Sequence, residues 1–364
     1  MPPKKIKHQD ITKLLAPSPE KGQSMRGFEE QYSDIVDYIV RCTHAIWEEK
    51  GVGLIYTHYL HNCIVHGADG TTYGRDQVVA DTLSTLAAFP DRKLYADAVV
   101  WTGDDEAGFF TSHLITNVAH NTGYSVYGPP TGRKVVWRGI ALCLVKENRI
   151  CEEWLLRDDI EVIRQLGLDL KETVASLALR DAQNPRPPQP HGEIARGIGQ
   201  LPPEVLPPKE TPEFDVEDFI RRSTHEIWNW RLLNKVREYY AEGYIGHLCS
   251  GRELYGQQEY VAFVLSLLAA FPDARFFVDQ LFWNEEEDGS IRTSLRWSLP
   301  GTHLGHGIYG PPTGARIHIW GLTQHIIRDG KIAEEWTYFN ELHVLKQIFL
   351  ARHQPATASP DPAK

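Results

Sequence analysis

Two stretches of the chain carry residue types suited to moving protons. Each is a Glu-x-Trp, with Glu152 and Trp154 in one and Glu334 and Trp336 in the other; four residues past the tryptophan the first has Asp158 and the second Asn340. A carboxylate can take up and return a proton, whereas a carboxamide cannot. On a regular strand Glu152, Trp154, Leu156 and Asp158 share one face. Folding that strand back on the preceding one places Cys143 opposite Glu152, and His325 opposite Glu334 on the face of Trp336, Tyr338 and Asn340. A carboxylate that acts as a base must be desolvated enough to be reactive, and donors must meet the negative charge that develops on its substrate. His113, His66, Tyr56, Trp47 and Trp137 are the candidate donors.

Plainer roles compete with these. Asp158 or Asp159 is a suitable cap for a helix starting near Ile160. Glu152 and Glu334 suit pairing with cross-strand neighbours, and Trp154 and Trp336 suit a pocket wall or core. His44 and His225 lie on an apolar helix stripe, as buried, hydrogen-bonded histidines do. His58, His61, His66, His113 and His120 are irregularly spaced and mostly lack partners in the second half, so no metal site is expected.

The elements that must position these residues occur twice. Tyr-Gly-Pro-Pro-Thr-Gly stands at Tyr127 to Gly132 and again at Tyr309 to Gly314, and Leu-Ala-Ala-Phe-Pro-Asp at Leu86 to Asp91 and Leu268 to Asp273. The two prolines remove the amide donors that a phosphate cradle needs, so the hexapeptide reads as a stiff turn. From a Ser33 cap, Ile35, Val36, Ile39, Val40, Ile46 and Trp47 recur at helical spacing. A short helical segment over Gly53 to Leu60, a polar stretch, and a helix over Arg75 to Ala88 follow. Extended runs then cover Lys93 to Trp101, Gly108 to Val118, Lys134 to Lys146 and Arg149 to Leu156, with a closing helix at Ile160 to Leu166. Three helices thus precede a four-stranded meander. In the second copy Val216 to Trp230 and Gln258 to Ala270 read as helices, and Asp329-Gly330 as a type I′ hairpin turn.

Residues 181–212 contain nine prolines and read as a linker, extended enough to act as a strap on the surface. The expected division is a flexible arm over 1–28, a domain over 29–180, the linker, a second domain over 213–353, and a disordered tail over 354–364. The formal charge of −10 gives no basic footprint for nucleic acid. Five unevenly placed cysteines without a Cys-x-x-Cys point to reduced thiols and a cytoplasmic location. Neither a membrane span nor a secretory signal is legible.

Gly128 to Arg133, Ile150 to Asp158 and Gln165 to Gly167, in that order and spacing, resemble the polyketide-cyclase family typified by SnoaL, over about 140 residues of each copy. The resemblance implies an α+β, NTF2-like fold in tandem: two cone-shaped domains of helices on a curved antiparallel sheet, forming an internal pseudo-dimer. It also implies a homodimer as a further expectation. By the same resemblance Asp158 is the acid/base of a cofactor-independent cyclase, isomerase or lyase acting on a small or medium apolar carbonyl compound. A histidine is common in that family where Cys143 and His325 stand, so acid and histidine are parted between the copies. The second copy departs further, with Asn340 and with Gln347-Ile348-Phe349 in place of Gln-Leu-Gly. Two other functions stay open, a non-catalytic ligand-binding or assembly module and epoxide hydrolysis; for the latter no clear constellation of arginine and second carboxylate is legible.

Overall fold

The computed structural model describes residues 15–17, 20–183, 185, 203–209 and 213–353. Repeat 1 runs α1 (Ile35–Trp47), α2 (Ile55–His58), β1 (Tyr59–Gly67), β2 (Gly70–Tyr73), α3 (Arg75–Ala88), β3 (Lys93–Asp104), β4 (Gly108–His120), β5 (Lys134–Lys146), β6 (Arg149–Arg157), α4 (Asp159–Gln165) and α5 (Leu170–Gln183). Repeat 2 runs α6 (Val216–Thr224), α7 (Val236–Tyr239), β7 (Tyr240–Leu248), β8 (Arg252–Tyr255), α8 (Gly256–Ala270), β9 (Phe277–Glu285), β10 (Ile291–Thr302), β11 (Arg316–Arg328), β12 (Lys331–Phe339) and α9 (Glu341–His353). The α1 helix forms where one stripe of apolar residues meets the core, and Asp34, one residue past the expected cap, accepts a 2.8 Å bond from the Asp37 amide.

Each repeat is an α+β domain with a six-stranded sheet, ordered β2-β1-β6-β5-β4-β3 and β8-β7-β12-β11-β10-β9. The sheets are mixed rather than wholly antiparallel, because β1 runs parallel to β6 and β7 parallel to β12. β1 and β2 occupy what reads in sequence as a short helix end and a polar stretch; their mixed burial hides the alternation. The β5–β6 and β11–β12 hairpins turn on Glu147-Asn148 and Asp329-Gly330, whose paired positive φ values match the type I′ geometry.

Helices cover one face of each sheet, and the other faces meet. Val100, Leu114, Ile140, Leu142, Trp154 and Leu156 of repeat 1 join a core that continues into repeat 2. The Asn284 side chain clasps the Trp101 backbone at 2.8 and 2.9 Å, and Gln324 Nε2 donates to the Ser112 carbonyl at 2.9 Å. The first three linker residues belong to α5, and 203–209 pack on α6 and the turn after it: Arg222 donates to the Pro207 carbonyl at 3.0 Å, and the Glu204 carbonyl accepts from His225 and Trp230 at 2.7 and 2.9 Å. Most of the remaining linker, residues 1–14 of the arm and the tail from 354 lie outside the described residues. The end of the arm is docked rather than loose: Phe28 packs edge-on against Tyr38 and Phe109. No helix among the described residues is long and apolar enough to cross a membrane.

Candidate active site

A cavity of about 430 Å³ opens in repeat 1 between α3, α5 and the helix-covered face of the sheet. Strand alternation brings Glu153, Leu155 and Arg157 to it from β6, and Asp159 follows at the start of α4. Cys151 is an extra residue in β6: Leu144 pairs with Glu152, but Val145 pairs with Ile150. The bulge moves the register by one, so Cys143 lies opposite Glu153 and not Glu152. In repeat 2 Ala333 is the extra residue, and His325 lies opposite Glu335 rather than Glu334.

Glu153 is buried and its Oε2 accepts a 2.9 Å hydrogen bond from the Tyr59 hydroxyl. Burial pushes its carboxyl above the ordinary range, against the hydrogen bond from Tyr59 and the charge of Arg157. Arg157 stands opposite Gly139 of β5, where an added Cβ would lie 3.2 Å from the arginine Cγ. Its guanidinium makes no hydrogen bond among the described residues, and Asp159 is 3.9 Å away. Burial would lower its pKa, but Asp159, Tyr127, Asp69 and Asp81 outweigh it and hold the arginine charged. Asp159 in turn accepts a 2.6 Å bond from the hydroxyl of Tyr127, the first residue of the duplicated hexapeptide.

One wall comes from repeat 2. Leu342 of α9 lines the cavity, and the buried Lys346 donates to two carboxylates of its rim, Asp69 at 2.5 Å and Asp181 at 2.6 Å. Burial would raise the Asp69 carboxyl, but its bond to His343 and the Lys346 charge hold it well below the ordinary range.

The corresponding space in repeat 2 is occupied by side chains. Val78, Asp81, Thr82 and Thr85 line the cavity; the residues at their places in α8 are Tyr260, Phe263, Val264 and Leu267, all buried. Arg157 corresponds to Phe339 and Ile115 to Trp297, whose ring lies over Gly321. The Glu153 and Tyr59 counterparts, Glu335 and Tyr240, persist. Glu335 bonds Tyr244 at 3.2 Å and Thr337 at 2.5 Å, and burial raises its carboxyl to about 7.

Of the residues expected from sequence, Trp47 lines the cavity and Trp137 a side compartment of about 60 Å³ that shares Arg157, Asp159 and Tyr127 with it. Asp158 does not line the main cavity. It is 5% exposed, caps α4 through the Glu161 amide at 3.1 Å, and accepts from the Ser250 and Gly251 amides of repeat 2 at 2.7 and 2.8 Å. Burial raises its carboxyl to about 6 against the pull of those amides. Asn340 is likewise engaged, with the Trp320 amide at 3.1 Å and the His318 carbonyl at 3.2 Å. Glu152 and Trp154 lie on the sheet face turned to repeat 2, and there His66 of β1 bonds Glu152 at 2.7 Å and stacks on Trp154; His247, Glu334 and Trp336 repeat that cluster. Tyr338 is buried on the same face. Tyr56 is exposed beneath Arg75. His113, Cys143 and His325 are buried on the helix side of their sheets, and desolvation lowers both histidines to about 3. Among the described residues no group of three or more His, Cys, Asp or Glu is arranged to hold a metal.

Sequence reading missed Tyr59, Asp69, Asp81, Tyr127, Glu153, Arg157 and Asp159. The signal was present in the repeats themselves: aligned positions that are polar in one copy and apolar in the other, such as Asp81 against Phe263 and Arg157 against Phe339, mark where one copy keeps a cavity.

Fold and site together define a fused pair of helix-on-sheet α+β domains, one holding an open, ionisable cavity and the other filling the corresponding space with side chains. The chain belongs to the SnoaL-like polyketide cyclase family, whose model matches residues 38–166 and again 219–348. Among solved structures it is similar to a protein described as a SnoaL-like polyketide cyclase from Jannaschia sp. CCS1, with 21% identity, TM-score 0.34, and coverage of 38% of this chain and 92% of that one. A protein from Acidithiobacillus ferrooxidans, described as a polyketide cyclase, shares 24% identity over 39% of this chain and 99% of its own, with TM-score 0.33. AclR of Streptomyces galilaeus, described as a hydroxylase, shares 20% over 37% of this chain and 98% of its own, with TM-score 0.32. No curated protein sequence matches the chain closely.

Proposed function

We propose that repeat 1 is a cofactor-independent acid–base enzyme of the cyclase, isomerase or lyase type acting on a carbonyl compound, and that repeat 2 is its structural partner. The observation that carries this reading is the pairing, in one cavity, of a buried carboxylate whose pKa is raised with an arginine that makes no hydrogen bond among the described residues. Glu153, oriented by Tyr59, removes a proton from the carbon beside the carbonyl. Arg157 donates to the oxygen as the charge moves there, and Glu153 returns the proton to carbon or oxygen. The acid–base role passes from Asp158 to Glu153 because the Asp158 carboxylate is engaged by three backbone amides outside the main cavity. Glu153→Gln then lowers kcat by at least about 100-fold with the fold intact. Full activity in that variant, or the same loss in Asp158→Asn with unchanged stability, would return the role to Asp158.

A second reading has its own observation. Arg157 stands in the field of Asp159, Asp69 and Asp81, an arginine–carboxylate grouping that sequence reading did not find. Such a grouping suits activation of water by a carboxylate while a second group protonates an opening epoxide. Turnover of styrene oxide in ¹⁸O-labelled water, with label in the diol, would favour it; inert epoxides beside active carbonyl probes would exclude it.

A further inference from the structure

Behind Trp47, a wall of the cavity, lies a cation with no counter-ion among the described residues. Arg92 is 6% exposed, and its guanidinium centre is held 4.4 Å from the Trp47 ring and 5.4 Å from Trp137. Nε and one terminal nitrogen donate to Asn117 Oδ1 at 2.9 and 2.7 Å, while the other terminal nitrogen is buried with no partner among the described residues. The charged side chains within electrostatic reach, Arg157 and Lys50, are of the same sign, and burial first and then Arg157 push its pKa down to about 9. A desolvated charge in this setting is costly unless an opposite charge arrives. Two aromatic faces and one amide oxygen compensate only in part.

The repeats supply an internal control. The residues that correspond to Arg92, Asn117, Trp137 and Arg157 are Ala274, Leu299, Ile319 and Phe339. Both arginines are present where the cavity is open and both are replaced where it is filled, so neither is needed to make this fold. Their neighbouring carboxylates are already engaged: Asp69 and Asp181 share Lys346, and Asp159 holds the Tyr127 hydroxyl. The free donors at this end of the cavity therefore belong to Arg157.

We propose that the cavity takes a ligand bearing a carboxylate, which is received by the Arg157 guanidinium and balanced by the buried charge of Arg92. This rests on the cavity of repeat 1 being the ligand site and narrows the substrate class to carbonyl compounds with an acidic group. Arg92 acts through charge and by backing Trp47, and so is a positioning residue.

Calorimetric titration with 2-naphthoate and its neutral amide, 2-naphthamide, tests this on the full chain. Wild-type protein and the Glu153→Gln variant are expected to bind naphthoate at least about tenfold more tightly than the amide, and Arg157→Met to lose roughly 10- to 100-fold for naphthoate alone. Arg92→Met is expected to weaken naphthoate binding while the melting temperature of the ligand-free protein holds or rises, an outcome that a merely structural arginine would reverse. Equal affinity for acid and amide, binding of neither probe, or indifference to Arg157→Met overturns the proposal. Neutral carbonyl compounds that bind and turn over with Glu153 required would sink it while leaving the acid–base reading standing. Naphthoate bound through the arginines beside turnover indifferent to Glu153 would do the opposite.

Discussion

Replacing Asp158 with alanine separates a structural carboxylate from a catalytic one. In the folded chain it accepts one amide of its own helix and two from the β7–β8 turn of the other repeat, Ser250 and Gly251. Truncation leaves three amides without their acceptor, and the expected loss near pH 5 is about 2 to 4 kcal/mol from a lost cap and two stranded donors. Burial raises this carboxyl to about 6, above an ordinary aspartate near 3.9. A raised acid pKa favours the folded protein at low pH: below about 4 both states are protonated, and as pH rises through 6 the unfolded chain has already released its proton and stability falls. The gap between wild type and Asp158→Ala should therefore narrow by about 1 kcal/mol between pH 5 and pH 8. Urea unfolding followed by tryptophan fluorescence at a series of pH values measures both quantities. A loss under about 0.5 kcal/mol at pH 5, or a gap that widens with pH, refutes the account of Asp158 as a clasp between the repeats.

Giving the cavity the wall of repeat 2, with Val78→Tyr and Thr85→Leu, should abolish binding of naphthoate or substrate while stability holds, because the added groups enter empty space; undiminished binding by calorimetry would refute this placement of the site. Lys346→Met should lower stability at neutral pH and flatten the acid limb of the stability profile. Asp69, held below its ordinary range, contributes stability that is present above its unfolded pKa and lost as pH falls through its folded one. An acid limb unchanged in urea titrations would count against that ion pair. Tyr59→Phe should lower kcat more than it changes KM, since the hydroxyl bonds the Glu153 carboxylate at 2.9 Å; an effect confined to KM would contradict its role.

The duplication, both motif sets and most element boundaries were legible because apolar periodicity and paired turns repeat at a fixed offset. β1 escaped notice because neighbouring elements cover it unevenly, so its outward and inward residues do not alternate cleanly. Site residues were harder, for a specific reason. One bulged residue, Cys151, shifts which side chain faces which across the hairpin. Choosing the face that holds Glu152 and Trp154, and not the face of Glu153 and Arg157, moved attention from the cavity to the contact between repeats. Parity showed which residues travel together, but only the packing of the second sheet decides which set is covered.

Because Leu342 and Lys346 belong to α9 of the second repeat, the cavity of the first is not finished until α9 has been made and docked. Synthesis of the first repeat alone would yield a vessel with one side missing and two rim carboxylates repelling each other. Ligand screens on an excised repeat would then register silence where the whole chain binds. The second repeat, although side chains fill the space that corresponds to this cavity, decides when the cavity of the first closes.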